Sequence, residues 1–553
     1  MTRDRGHDDT ADERGGSTEE GDRATEEGDR ATEERGGSTE ERSGPTEERS
    51  GPTEERGDGK RDPTEPGVPR LGRDEQPSIF VPDEERTGPE TSRTPPTATD
   101  GGTESAPGSG TGGAPGGSAG SATGGSTSTE LDPETYDPVD VFPGGELDLR
   151  DGADSCYKCT SCDTSCPVAE VDDEFPGPKF QGPEQWRLKR KDDADIDESI
   201  TSCSNCMRCD DACPSSVPLS QMHNEARGQF VERQMEKLSV EYVRNRILSN
   251  YRTSARLASM LPRVSSFAMN FGPLRWAMEK TLGIPKEREF PEFATTTFRE
   301  WWHERGGAQV ENPDKRVAYF HGCYSNYNTP EVGKAMVRVY EQFGYEVLVP
   351  PQKCSGTPMF ANGMLTDARR HAETNVENLV AAIGDGADVI ASCTSCSLSL
   401  RQEYPELFDI HGVEDVAEHT FEAMEYLRIH EDLDAALADA GGLDDERAFA
   451  YHAPCHARNQ GLERQAVETF RDVDGVKMED VGDSCSGISG TYGWKKEKYE
   501  TSMKIGAEMF DHMEDADGEV GMTECPTCAM QMEHGTGYEI EHPLQLLADA
   551  LDA

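Results

Sequence analysis

KRVAYFHGC, residues 315–323, decides how the C-terminal part of the chain folds: two charged residues, four residues in which Val, Tyr and Phe predominate, then a turn ending in cysteine. A short apolar run of β-forming residues bounded by polar and glycine positions reads as a buried strand. Working outward, TPEVGKAMVRVYEQFGY (329–345) has helical spacing and EVLVPP (346–351) is a second strand. DARRHAETNVENLVAAIGDGADVIASCTSC (367–396) is a helix followed by a strand. The same order returns in RAFAYHAPC (447–455), ERQAVETFRDV (463–473), YETSMKIGAEMFDHM (499–513) and EVGMTECPTC (519–528). The spacing therefore predicts two tandem α/β repeats, 313–440 and 441–553.

Each repeat carries one cysteine quartet: Cys323, Cys354, Cys393 and Cys396 in the first, Cys455, Cys485, Cys525 and Cys528 in the second. In an α/β unit the residues after strand ends project into the crevice at the sheet's carboxyl edge. Each quartet is thus expected to converge with its Cys-Ser-Gly loop into a metal site, where Gly356 and Gly487 allow close backbone approach. A cysteine taken singly can be a small buried hydrophobe, but two matched quartets favour ligation.

The other eight cysteines form CYKCTSCDTSCP (156–167) and CSNCMRCDDACP (203–214), two copies of Cys-x2-Cys-x2-Cys-x3-Cys-Pro. Three cysteines spaced by two wrap one [4Fe–4S] cubane, and the fourth, before proline, turns to the neighbouring cluster. Crossed ligation assigns Cys156, Cys159, Cys162 and Cys213 to one cluster and Cys203, Cys206, Cys209 and Cys166 to the other. Cys-x2-Cys also suits zinc, but two complete copies with terminal Cys-Pro favour cubanes. Such a pair conducts electrons and has no substrate chemistry of its own. All 16 cysteines fall into four groups of four, unlike the disulfide framework of a small secreted domain.

The chain has 553 residues, 33% hydrophobic, and a formal charge of -53. Residues 1–135 contribute 33 acidic and 15 basic residues, repeat TEERGGSTEERSGPTEERSGPTEERG and run into a Gly/Ser/Thr spacer. Such a tract cannot bury enough apolar area to offset its entropy and is expected to be a disordered tail. Its one G-x-G-x-x-G, at Gly108, Gly110 and Gly113, has no strand before it and no helix after it and is a chance match. The acidity of the remainder repels nucleic acid and matches the protein surfaces of salt-loving microbes. With no apolar leader and no run of 18 apolar residues, the expected location is cytoplasmic, with peripheral contact on the inner face of the cell membrane. Residues 136–232 form the two-cluster ferredoxin-type domain, mostly helical. Residues 233–312 are a helical connector punctuated by Pro262, Pro273 and Pro285. A chain ending near residue 312 is expected to hold both cubanes. The fold class is therefore α+β and multidomain.

These residues resemble a family. The quartets are similar to the cysteine-rich CCG domain of heterodisulfide reductases, of glycolate and lactate oxidase iron–sulfur subunits, and of the C subunits of anaerobic glycerol-3-phosphate dehydrogenases. YKCTSCDTSCPVAEVDDEFPGPKFQGPEQWRL, CSNCMRCDDACPSSV, EKTLGI and CSGISGTYGWKKEKYETSMKIG look most like the C subunits, over about residues 140–553, and the charge suggests a halophilic archaeal type. The resemblance implies an electron-transfer iron–sulfur subunit with further clusters in the CCG repeats. Its partners would be flavoprotein subunits of A and B type, its acceptor quinone, and the substrate oxidised by the partner sn-glycerol 3-phosphate. Where the full motif has Cys-Cys-Gly this chain has Ser355 and Ser486, so each repeat keeps four thiols, enough for a cubane or for a smaller cluster with an oxygen ligand. The alternatives are the iron–sulfur subunit of a 2-hydroxy acid oxidase, for glycolate or lactate, and a catalytic heterodisulfide-reductase-like subunit.

His321, His452 and His456 flank the quartets and are expected to support cluster ligands through hydrogen bonds. Gly490–Trp494 reads as a turn with a packed aromatic. The least acidic stretch, NRILSNYRTSARLASMLPRVSSFAMNFGPLRWAMEKTLGI (245–284), suits either a bilayer interface or packing against a partner protein. Outside the tail there is no dinucleotide fingerprint, and no Ser-His-Asp, metal–water or phosphate-loop constellation. Substrate oxidation is accordingly expected on another chain, with no catalytic residue here.

Overall fold

In a computed structural model the run Lys315–Phe320 is strand β1 of a four-stranded parallel sheet, and its alternation explains why. Val317 and Tyr319 enter one apolar core while Ala318 and Phe320 enter another on the opposite face, so the strand is covered on both sides. Residues 155–192 and 194–553 are described; the expectation for 1–135 lies outside them. Strands β2 (Tyr345–Leu348), β3 (Asp388–Ala391) and β4 (Thr420–Glu422) complete the first sheet in the order β2-β1-β3-β4. The second sheet repeats it with β5 (Arg447–Tyr451), β6 (Val476–Asp480), β7 (Val520–Met522) and β8 (Ile540–Glu541), in the order β6-β5-β7-β8. In each sheet the chain leaves the first strand to one side and returns on the other, which opens a crevice at the carboxyl ends of β1 and β3, and of β5 and β7.

Helices cover the sheets. Pro330–Gln342, opened by a proline whose missing N–H costs nothing at that position, buries Val332, Met336, Val337, Val339 and Tyr340. The two longest helices, Leu365–Gly384 and Lys496–Asp515, occupy equivalent places after the Cys-Ser-Gly loops. Pro330–Gln342, the long helix between β1 and β2, packs on Pro543–Ala550, the helix after β8; Gln465–Thr469, between β5 and β6, and Ala423–His430, after β4, reciprocate. One core runs through both sheets, joining Tyr319, Tyr340 and Tyr345 to Phe449, Tyr451 and Leu547.

Ahead of the repeats, the cysteine loops and helix Leu219–Gln229 form a smaller core around Trp186, Ile200 and Met222. The connector contains helices Val240–Ser249, Tyr251–Ala258, Pro262–Met269 and Gly272–Leu282. Pro262 and Pro273 stand in the first turns of their helices, so they start elements rather than break them.

Candidate functional site

The two Cys-x2-Cys-x2-Cys loops share one backbone device. Lys158 and Thr160 in the first, and Asn205 and Met207 in the second, all have positive φ, between 56° and 70°. Non-glycine residues seldom adopt that conformation, and here it falls at matching positions of both loops, curling them so that successive thiols face one interior. Cys156, Cys159, Cys162 and Cys213 line one small cavity; Cys166, Cys203, Cys206 and Cys209 line another. The crossed partners named from the spacing are thus brought together. Burial pushes the Cys162 thiol up to about 12 and the Cys166 and Cys209 thiols up as well, the response of thiols withdrawn from water. Cys159 behaves oppositely: it is exposed, and the Ser161 hydroxyl at 3.4 Å lowers it.

The two C-terminal quartets, expected as separate sites, line one cavity of about 190 Å³. Strand ends deliver Cys323, Cys393, Cys455 and Cys525; the loops after β2 and β6 deliver Cys354 and Cys485; Cys396 and Cys528 follow one turn after Cys393 and Cys525. Hydrogen bonding among thiols crosses from one repeat to the other: Cys525, held well below its ordinary range, is stabilised first by Cys393 and then by Cys528. Within the first quartet Cys323 does the same for Cys354, drawn down to about 7. Cys206 lines both its own cavity and this larger one, and packs in one apolar cluster with Cys166 and Cys485, against which Cys203 and Cys455 also lie. The second repeat thus packs its thiols against the paired loops, while the first reaches them through Glu403, which accepts from Asn205 at 3.4 Å.

Both serines at the second motif position are buried, but they differ in use. Ser486 Oγ is 3.4 Å from Cys528 Sγ, whereas Ser355 Oγ faces the Thr357 hydroxyl at 3.3 Å. The glycines of these loops do not open towards the thiols as the sequence suggests. The space beyond Gly487 is filled by the Ser502 carbonyl of helix Lys496–Asp515, and that beyond Gly356 by the Phe360 ring. Gly322 takes the anticipated part, since a Cβ there would stand 3.1 Å from Cys396 Sγ.

All three flanking histidines are buried and held below their ordinary range by that burial, His452 to about 4. His321 and His456 line the large cavity, and His452 does not. His321 Nδ1 is 2.7 Å from the Gly322 carbonyl, His456 Nδ1 is 2.9 Å from Ser395 Oγ, and neither ring nitrogen of His452 has a partner. Trp494 lines the same cavity and packs on Phe290, with ring centroids 4.9 Å apart.

Several site residues are not evident from the motifs. Arg252, from the connector, places Nη1 3.9 Å from Cys323 Sγ. Arg458 and Asn459 donate to the Cys206 carbonyl at 3.3 Å each; their position just after Cys455 on the same helical turn is the one available signal. Between the repeats Gln465 donates to Glu422 at 2.9 Å and to Glu524 at 3.5 Å, and Tyr451 donates to Glu524 at 2.9 Å. Burial raises these carboxyls to about 7 and about 8. His542, near the end of the second repeat, reaches the Ser392 carbonyl beside Cys393 at 2.7 Å.

The donor sets suit iron–sulfur clusters: four thiols around each of the two small cavities, and around the large one the eight of the repeats together with the shared Cys206. Among the described residues no three His, Cys, Asp or Glu side chains close to single-ion geometry, and a cluster, with several irons between its thiolates, needs a wider ring than one ion.

Comparison with known proteins agrees with this chemistry. Residues 152–217 match the model of a 4Fe-4S dicluster domain, and residues 317–401 and 449–533 each match that of a cysteine-rich domain. The chain is 36% identical over 402 residues to the C subunit of the anaerobic glycerol-3-phosphate dehydrogenase of Escherichia coli strain K12, covering 72% of this chain and 98% of that protein. The B subunit of the CoM/CoB fumarate reductase of Methanothermobacter marburgensis is 31% identical over 229 residues, 40% of this chain and 42% of that protein. Lactate utilization protein A of an Exiguobacterium species is 29% identical over 241 residues, 42% of this chain and 94% of that protein.

Proposed function

The chain belongs to the family of anaerobic glycerol-3-phosphate dehydrogenase C subunits, and from that premise we propose that it is the iron–sulfur electron-transfer subunit of such a complex. Flavoprotein subunits of A and B type would oxidise sn-glycerol 3-phosphate to dihydroxyacetone phosphate and supply the electrons, and quinone would receive them. Cys156, Cys159, Cys162 and Cys213 would hold one [4Fe–4S] cluster, Cys166, Cys203, Cys206 and Cys209 a second, and the eight thiols of the large cavity the cluster or clusters of the repeats. Bound there, such clusters accept and release single electrons. The observation that carries this reading is Cys206, which lines both a dicluster cavity and the large one, so that thiol sites adjoin one another from an exposed surface at Cys159 to the connector at Arg252. The buried polar groups around them hold the ligands in place: Arg458 and Asn459 fix the Cys206 carbonyl, and Ser486 directs its hydroxyl at Cys528. Similarity to lactate utilization protein A covers less than half of this chain, which makes a 2-hydroxy acid partner the second reading.

No helix among the described residues is long and apolar enough to cross a membrane. The connector supplies another kind of contact. Leu257, Met260, Leu261, Val264, Phe267 and Trp276 are each at least 59% exposed, and residues 251–282 carry five basic residues and one acidic in a chain of charge -53. An apolar, locally basic face on an acidic protein suits the interface of an anionic bilayer.

The test is anaerobic reconstitution of the full chain, with iron and sulfide counts, followed by mixing with the flavoprotein and glycerol 3-phosphate or lactate. Bleaching of the cluster absorbance by glycerol 3-phosphate alone is expected. Bleaching by lactate alone would transfer the chain to the second reading, and a colourless, iron-free chain would remove both.

A further inference from the structure

Of the sixteen cysteines, Cys159 is the exposed one, and the surface around it differs in composition from the rest of the molecule. Tyr157 is 63% exposed, Leu188 42%, and the Lys158 side chain 58%. Two contacts join the loop to the start of helix Gln185–Asp192 in one face: Arg187 donates to the Cys156 carbonyl at 2.9 Å, and Lys158 pairs with Glu184, the residue before that helix, at 2.9 Å. Over residues 156–163 and 179–189 together the sequence has four basic residues and two acidic, while the whole chain has 55 basic and 108 acidic. The two-to-one excess is thus reversed here. An exposed tyrosine and leucine among cations, next to a redox-active position, have the make-up of a docking hot spot with an electrostatic rim.

We propose that this face, formed by Tyr157, Lys158, Cys159 and Leu188, is where the electron-donating flavoprotein docks, and that the partner presents an acidic surface with an apolar centre. The proposal rests on the electron-transfer reading. Several physical requirements point to the same place. A donor must approach a thiol-bound centre closely, and Cys159 offers the least covered approach. The reversed charge steers an acidic partner to it and away from the acidic remainder. The Arg187 bond to the Cys156 carbonyl and the Asp163 and Thr164 amides donating to the Thr160 carbonyl tie the loop down, so that little ordering cost is added on binding.

The experiment uses the full, cluster-loaded chain and the flavoprotein that oxidises glycerol 3-phosphate in the same cells. Affinity is measured by titration calorimetry at two salt concentrations for Tyr157→Ala, Lys158→Glu and Leu188→Glu. Each substitution is expected to weaken binding roughly tenfold, the usual effect of truncating an interface anchor, and Lys158→Glu should also reduce the salt dependence. Iron and sulfide content and reduction by dithionite should match the unsubstituted chain. Unchanged affinity in all three variants would overturn the proposal, as would loss of iron, which would mark these residues as structural. If the unsubstituted chain does not bind the flavoprotein at all, the electron-transfer reading itself falls, an outcome distinct from binding that ignores the three substitutions.

Discussion

Glu403 shows how far a buried carboxyl here departs from its behaviour in water. It is 1% exposed, accepts the Ser399 hydroxyl at 2.6 Å and the Asn205 amide at 3.4 Å, and burial raises it to about 7. The folded state keeps this proton up to about pH 7, whereas the unfolded chain releases it near the ordinary 4.5. The folded state therefore binds more protons between those values, and stability falls as pH rises through that window, then levels off. Glu403→Gln should remove up to ~3 kcal/mol of that pH dependence, seen as a higher midpoint than the parent at pH 8 and little difference at pH 4.5 in denaturant titrations. A second expectation concerns the serines. Ser486 faces a thiol and Ser355 does not, and hydrogen bonds to sulfur favour the reduced cluster. Ser486→Ala should lower a midpoint potential in an EPR-monitored titration, and Ser355→Ala should leave all potentials in place. At this scale the thiols were legible because their spacing repeats. Arg252 was not, because it reaches Cys323 across 71 residues, and no local pattern records such a contact.

Among the elements, the loops and the helices behind them set the tolerances. Gly487 has φ 79°, and a Cβ there would stand 2.1 Å from the Ser502 carbonyl, so helix Lys496–Asp515 packs against the loop only because the side chain is missing. Gly487→Ala combines backbone strain with displacement of that helix and should cost about 2–3 kcal/mol, with a fall in iron content as its second readout. Gly356→Ala also carries the backbone strain, but it meets a ring that can give way, Phe360 at 3.1 Å, so its loss should be smaller. Strands β1, β3, β5 and β7 could be read from the sequence because both faces are buried and apolar residues run together. The edge strands β4 and β8, three and two residues long, could not, since so short a segment shows no period. ERQAVETFRDV likewise folds as a helix only over Gln465–Thr469, its remainder turning towards β6.

For the molecule as a whole, the order of modules is legible in the sequence and their dependence on one another is not. A chain ending near residue 312 looks from its motifs like a self-sufficient carrier of two cubanes, but Cys166 and Cys206 pack against Cys485 and Ile505 of the second repeat. Arg208 bonds the Asp483 carbonyl, and Ser489 bonds that of Ser204. Such a truncation should retain the cluster at Cys156, Cys159, Cys162 and Cys213 and lose or loosen the one at Cys203. Iron counts near half of the two-cubane value, with one EPR signal in place of two, would show it.

The reciprocal helix contacts between the repeats have a consequence for ancestry. Where the helix ahead of the second strand of each half meets the helix after the fourth strand of the other, the arrangement is that of two identical protomers about a twofold axis. A forebear encoding a single half would have left that apolar face bare to water, and pairing with its own twin would have covered it. Fusion of the two genes would have freed each copy to drift, and the two now meet the ferredoxin-like loops differently, one through Cys485 and Ile505 and its sibling through Glu403.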